Sequence, residues 1–114
     1  MKYKVYIPSM GRSGKVTSNK LFLESSIVCP EREVKEYKKH YKGVIGVPDK
    51  IKGITATRNW ILDYNKKNKN SWHIQVDDDA RSFHKYEKTE LIKFTDPERI
   101  HTILETMFLM TEEI

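Results

Sequence analysis

Three consecutive carboxylates, Asp77-Asp78-Asp79, follow the run Trp72-His73-Ile74-Gln75-Val76. Adjacent like charges repel, and aspartate disfavours strand geometry. A fold tolerates such a cluster most readily where a cation or several backbone N–H groups meet it. Hard divalent cations take oxygen ligands, and Mg²⁺ in particular is held by one or two carboxylates plus substrate phosphate oxygens. The stretch therefore reads as a metal–phosphate site at the C-terminal end of a strand. The plainer alternative is a solvated acidic turn, because aspartate is a common turn residue.

Arg58 is the second residue that bears on chemistry. The segment from Gly53 to Tyr64 has helical periodicity, with Ile54 and Ile61 two turns apart on one face. Arg58 falls four after Ile54 and three before Ile61, so it joins that inward stripe. A guanidinium there needs an anionic partner. A structural salt bridge meets that need as well as a ligand does. Asn59 reads by itself as helix surface. His73 reads as a packed or exposed histidine, with no second histidine at metal-binding spacing.

The loop Pro8-Ser9-Met10-Gly11-Arg12-Ser13-Gly14-Lys15 invites comparison with a phosphate-binding P-loop. That pattern needs four residues between its glycines and Ser or Thr after the lysine. Here two residues separate Gly11 from Gly14, and Val16 follows Lys15, so the pattern is absent.

The elements that position these residues follow from periodicity and breakers. Lys4-Val5-Tyr6-Ile7 is a strand closed by Pro8. Residues 15–22 predict a short helix, and Ser26-Ile27-Val28-Cys29 a second strand. Pro30 suits the first turn of a helix over 31–41, in which Val34, Tyr37 and Tyr41 recur at helical spacing. Val44-Ile45-Gly46-Val47 is a third strand. The 53–64 helix is followed by a polar loop over 65–71 and a fourth strand, in which Trp72, Ile74 and Val76 share one face. His73 and Gln75 on the other face suggest that one side is incompletely covered or wet. Segments 81–86 and 90–94 predict a hairpin. Thr95-Asp96-Pro97-Glu98 opens a final amphipathic helix as a capping box, and the chain ends in or at the end of that helix. Strands alternating with helices predict an α/β fold, a mostly parallel three-layer α/β/α sheet.

The chain has 114 residues, which bounds it to a single domain with a modest core. No apolar run reaches membrane-spanning length, so no membrane partner is expected. The single cysteine, Cys29, excludes an intrachain disulfide and a cysteine-based metal cluster, and points to a reducing, cytoplasmic compartment. A formal charge of +5 favours anionic partners without choosing among them.

Three segments together carry a resemblance: Ile7-Pro8-Ser9-Met10-Gly11-Arg12, then Lys52-Gly53-Ile54-Thr55-Ala56-Thr57-Arg58-Asn59, then Val76-Asp77-Asp78-Asp79. In this order, each at a strand end or helix start, they resemble the GT-A glycosyltransferases, and more narrowly the phage TET-associated glycosyltransferases linked to modified DNA bases. The resemblance implies the nucleotide-binding half of a Rossmann-like GT-A fold, with an acceptor-binding half absent. It implies a nucleotide-sugar donor, UDP-linked, a divalent metal (Mn²⁺ or Mg²⁺), and a hydroxymethylated base in phage DNA as acceptor, in a bacterial host cell. By this resemblance Pro8, Ser9, Arg12, Lys52, Gly53, Arg58, Asn59, Asp77 and Asp78 border the donor. Asp79 is the direct metal ligand, Asp77 faces the ribose or the metal's water shell, and Asp78 faces the sugar. No residue is nominated as catalytic base.

Two other functions use the same residues. A nucleotidyltransferase would employ Asp77 and Asp79 in two-metal chemistry, although no further carboxylate obviously completes such a site. A non-catalytic basic module would bind nucleotide or nucleic acid, although no helix-turn-helix or aromatic-interleaved basic motif is present.

Overall fold

Four strands, β1 (Tyr3–Pro8), β2 (Ser26–Pro30), β3 (Val44–Val47) and β4 (Trp72–Gln75), form a parallel sheet in the order β3-β2-β1-β4. This computed structural model describes residues 3–69 and 72–112. Asn70 and Ser71 of the expected loop, and the expected chain end at 113–114, lie outside the described residues.

Period-two alternation along β1 divides the core into two layers. Tyr3, Val5 and Ile7 face one way, joining Ile27 and Cys29 beneath Tyr37, Ile100 and Leu104. Tyr6 faces the other way with Val28 and Val47, packed on Ile61. The helices supplying these contacts are α1 (Val34–Lys38), α2 (Ile54–Lys67) and α3 (Pro97–Glu112). α1 and α3 cover one face and α2 the other, which is the three-layer α/β/α arrangement expected. Each fully buried aliphatic or aromatic side chain contributes about 1.5–3 kcal/mol to holding these layers together.

β1 pairs with β4 in the register Tyr3↔Trp72 to Tyr6↔Gln75, and the Val76 N–H extends the ladder to the Tyr6 carbonyl at 3.0 Å. Trp72, Ile74 and Val76 pack on the α1/α3 side of the core. On the other face, His73 lies edge-on to Tyr6, and Gln75 Nε2 donates to the Arg58 carbonyl at 3.2 Å. That face is thus half-covered by α2 rather than open to water.

Several expected helices change extent. The helix expected over 31–41 becomes one 3₁₀ turn, Glu31–Glu33, followed by the short α1, and Pro30 both ends β2 and stands as the N-cap of that turn. Residues 15–22 keep only a 3₁₀ turn, Ser18–Leu21, and at its start the N–H of Thr17 donates to the Asp78 carbonyl, which the Ser18 N–H also approaches. α2 runs further than expected, taking in Asn65, Lys66 and Lys67. Asn65 looks polar in sequence, yet it is buried and accepts a hydrogen bond from the Tyr6 hydroxyl at 2.9 Å. The two lysines suit the negative end of the helix dipole. Lys69, in left-handed conformation, follows the helix.

β5 (Phe83–Glu87) and β6 (Glu90–Phe94) form the expected antiparallel hairpin as a separate two-stranded sheet. α3 is capped by Asp96, whose Oδ1 accepts from the Glu98 N–H at 3.2 Å, and not by Thr95. Phe108 of α3 stacks on Tyr3 and meets Trp72, and the Tyr3 hydroxyl bonds His101 Nδ1 at 2.7 Å. Among the described residues no helix is long and apolar enough to cross a membrane.

Candidate active site

β1 and β4 are neighbours, yet the chain leaves β1 towards β2 and β3 before returning to β4 on the opposite side. The connections above the carboxyl ends of β1 and β4 therefore diverge, and ligands in open α/β sheets bind in the crevice so formed. A cleft of about 640 Å³ occupies this place. Pro8 and Ser9 line it from the end of β1, Cys29 and Pro30 from β2, and Val47 from β3, with Asp77, Asp78 and Asp79 just beyond β4. Lys52, Gly53, Ile54 and Thr57 close one side at the start of α2.

The three aspartates have different environments. Asp78 is turned inward, its side chain only 14% exposed. Its Oδ2 accepts from Ser9 Oγ at 2.7 Å and from Arg12 Nε at 3.0 Å. The single Ser9 hydroxyl proton goes to Asp78, so the buried Tyr37 hydroxyl donates to Ser9 Oγ at 2.7 Å and itself accepts from the Arg12 N–H at 3.1 Å. Burial raises the Tyr37 phenol pKa, and the bonds to Ser9 and Arg12 partly offset that rise. Asp78 therefore fastens the β1 loop to the end of β4. Asp77 is 73% exposed and pairs through Oδ1 with Arg58 Nη2 at 2.8 Å. Asp79 is exposed, lines the cleft, and has neither hydrogen bond nor ion pair among the described residues.

Arg58 sits where the helical stripe put it, and its counter-charge is Asp77. The stripe itself is not buried throughout: Ile61 is inaccessible, whereas Ile54 is 57% exposed and lines the cleft. α2 begins beyond the sheet edge, so the first turn of its inward face overhangs the cleft instead of the core. Gly53, its N-cap, has φ of +89°, a region that side-chain-bearing residues rarely adopt. No side chain caps this terminus. The first-turn N–H groups and the positive end of the helix dipole are thus turned to the cleft, a geometry suited to anions.

Of the residues singled out in sequence, the cleft gathers Pro8, Ser9, Lys52, Gly53, Asp77, Asp78 and Asp79. Arg12 reaches it through Asp78, and Arg58 through Asp77. Asn59 is exposed and is not among the lining residues. Sequence reasoning passed over Arg32 and Asp49, which pair at 3.1 Å on the far side of the cleft, beyond β2 and β3. Their position just after strand ends was the available signal.

The family model for TET-Associated Glycosyltransferase (TAGT) matches residues 3–114. The chain belongs to the TET-associated glycosyltransferase family. No curated protein and no solved structure matches it. Membership in a glycosyltransferase family calls for a sugar donor and an acceptor, and the switch-point cleft is the place in this family member where strand ends, carboxylates and an uncapped helix start meet. Among the described residues no group of three or more potential ligands gathers in one place. Mg²⁺ is usually held by one or two carboxylates completed by substrate phosphate oxygens; Asp77 and Asp79 are exposed carboxylates that line the cleft, with Asp77 paired to Arg58.

Proposed function

We propose that this glycosyltransferase is of the metal-dependent GT-A type and transfers a sugar from a UDP-linked donor bound in the switch-point cleft. The observation that carries the reading is the convergence on one cleft of Asp79, which has no protein partner among the described residues, and the uncapped start of α2. The acceptor proposed is a hydroxymethylated base in phage DNA. The formal charge of +5 supports a polyanionic acceptor.

In this reading Asp79, with Asp77 beside it, would hold Mn²⁺ or Mg²⁺, which when bound supplies neutralisation of the charge on the departing diphosphate. The α2 terminus and Lys52 meet the same charge from the other side with N–H groups and an ammonium. Arg58 balances Asp77, which lowers the mutual repulsion of the aspartates before any ligand arrives. Asp78, Ser9 and Arg12 keep the β1 loop against the donor.

Calorimetry with UDP and Mn²⁺ tests the reading. Metal-dependent UDP binding is expected in the native protein and is lost in Asp79→Ala while the fold persists. Unchanged affinity in that variant overturns the assignment. Binding of UDP-glucose in preference to ATP or CTP separates a sugar-nucleotide site from the nucleotidyltransferase alternative.

A further inference from the structure

Asp77, Asp78 and Asp79 leave the sheet immediately after β4, where the ladder no longer holds their backbone. Their backbone partners come instead from Thr17 and Ser18, about sixty residues earlier in the chain. The Thr17 N–H donates to the Asp78 carbonyl at 2.9 Å, and the Ser18 N–H approaches the same oxygen at 3.5 Å. Ser18 Oγ donates to the Asp77 carbonyl and accepts from the Ala80 N–H at 2.9 Å. Thr17 Oγ1 donates to the Ala80 carbonyl at 2.9 Å. Ser18 is fully buried. Two small polar residues thus engage the backbone on both sides of Asp79 while touching none of the three carboxylates.

We infer that Thr17 and Ser18 are positioning residues for the Asp77/Asp79 pair, an inference that rests on the metal–donor reading of the cleft. The physical reason is the mutual repulsion of three adjacent aspartates. Three adjacent carboxylates favour a splayed loop. A turn whose carbonyls at 77, 78 and 80 and N–H at 80 are held from one side keeps Asp77 and Asp79 projecting into the cleft. Removing a group that orients a metal ligand from behind typically lowers metal affinity about 10–100-fold. Neither hydroxyl lines the cleft, so their action is through the loop.

The test compares UDP affinity with and without Mn²⁺, by calorimetry, in Ser18→Ala, Thr17→Val and Asp79→Ala, with a thermal melt of each. In Ser18→Ala the Mn²⁺-dependent gain in UDP affinity is expected to fall about 10-fold or more, with UDP binding in the absence of metal unchanged. A merely structural role would reduce both in proportion to the folded fraction. A folded Ser18→Ala protein that keeps the full gain overturns the inference. If Ser18→Ala does not fold, Thr17→Val decides in the same way: loss of the gain supports the role, and full retention overturns it. Retention of the gain in Asp79→Ala overturns the site reading itself. Its loss in Asp79→Ala with retention in Ser18→Ala overturns only the positioning role.

Discussion

The Arg12 guanidinium donates through Nε to Asp78 Oδ2 at 3.0 Å, and the same oxygen accepts the Ser9 hydroxyl. The middle carboxylate is thereby committed to joining two strand ends, while its neighbours face the cleft. Asp78→Asn and Asp79→Asn should separate cleanly. The first weakens a partly buried, charge-assisted network and is expected to lower stability by about 1–3 kcal/mol in urea denaturation. The second removes an exposed charge beside two others and leaves stability unchanged or slightly raised, while Mn²⁺-dependent UDP binding is lost. Equal stability losses in the two variants would show that Asp78 has no special structural part.

Arg58 and Asp77 form a half-exposed pair, so its direct worth to the fold is small, below about 1 kcal/mol. Arg58→Ala is expected to leave the melting curve nearly in place and to weaken UDP–Mn²⁺ binding about 10-fold through loss of a cation beside the donor phosphates. Arg58→Lys should recover only part of this, because a point charge cannot serve Asp77 and a donor phosphate with one planar fork. Full recovery in the lysine variant removes that argument.

Cys29 lies under the cleft, and burial, reinforced by the negative charge of Glu33, raises its thiol pKa to about 11. The unfolded chain loses this proton near 9.0, so between 9.0 and about 11 the folded state binds more protons than the unfolded one. Stability is therefore full below pH 9 and falls as pH rises through that window, by about 2 kcal/mol in all. Urea titrations at pH 8, 9 and 10 check this. Cys29→Ala should be less stable at pH 8 yet flatter from pH 8 to 9, a range below 10.0, where the unfolded chain's Tyr3 and Tyr37 phenols, also raised in the fold, begin to contribute. An equally steep slope in the variant would assign the alkaline loss elsewhere.

His73, half-buried between Tyr6 and Gln75, has its pKa lowered from 6.5 by burial. The unfolded chain takes up the proton first as pH drops, so the stability held above pH 6.5 is lost as pH falls through the folded-state value. An NMR titration of the imidazole should show a midpoint below 6.5, and His73→Gln should flatten the acid limb of stability. A midpoint above 6.5 contradicts the burial argument.

Legibility in the sequence followed the range of the forces involved. Strand order along the chain, the hairpin, the amphipathic α3 and the inward arginine of α2 were readable, because period and breaker residues act within a few positions. Helix extents were less so. Residues 15–22 fell to a single turn whose start is tied to Asp78 through Thr17 and Ser18, and Asn65 joined α2, where Tyr6 offered it a buried partner. Neither partner is near in sequence.

The residues themselves determined that a carboxylate cluster would stand at the end of a strand, that Arg58 would need an anion, and that the chain would build an α/β sheet. They also carried the family likeness. Only the tertiary structure decided which aspartate does what. Parallel pairing of β1 with β4 brings Ser9 and Arg12 to Asp78, and the overhang of α2 brings Arg58 to Asp77. Asp79 is left with its carboxylate exposed to the cleft. Three chemically identical side chains differ because hydrogen bonding and charge pairing depend on distance in space, and that distance is set by strand order.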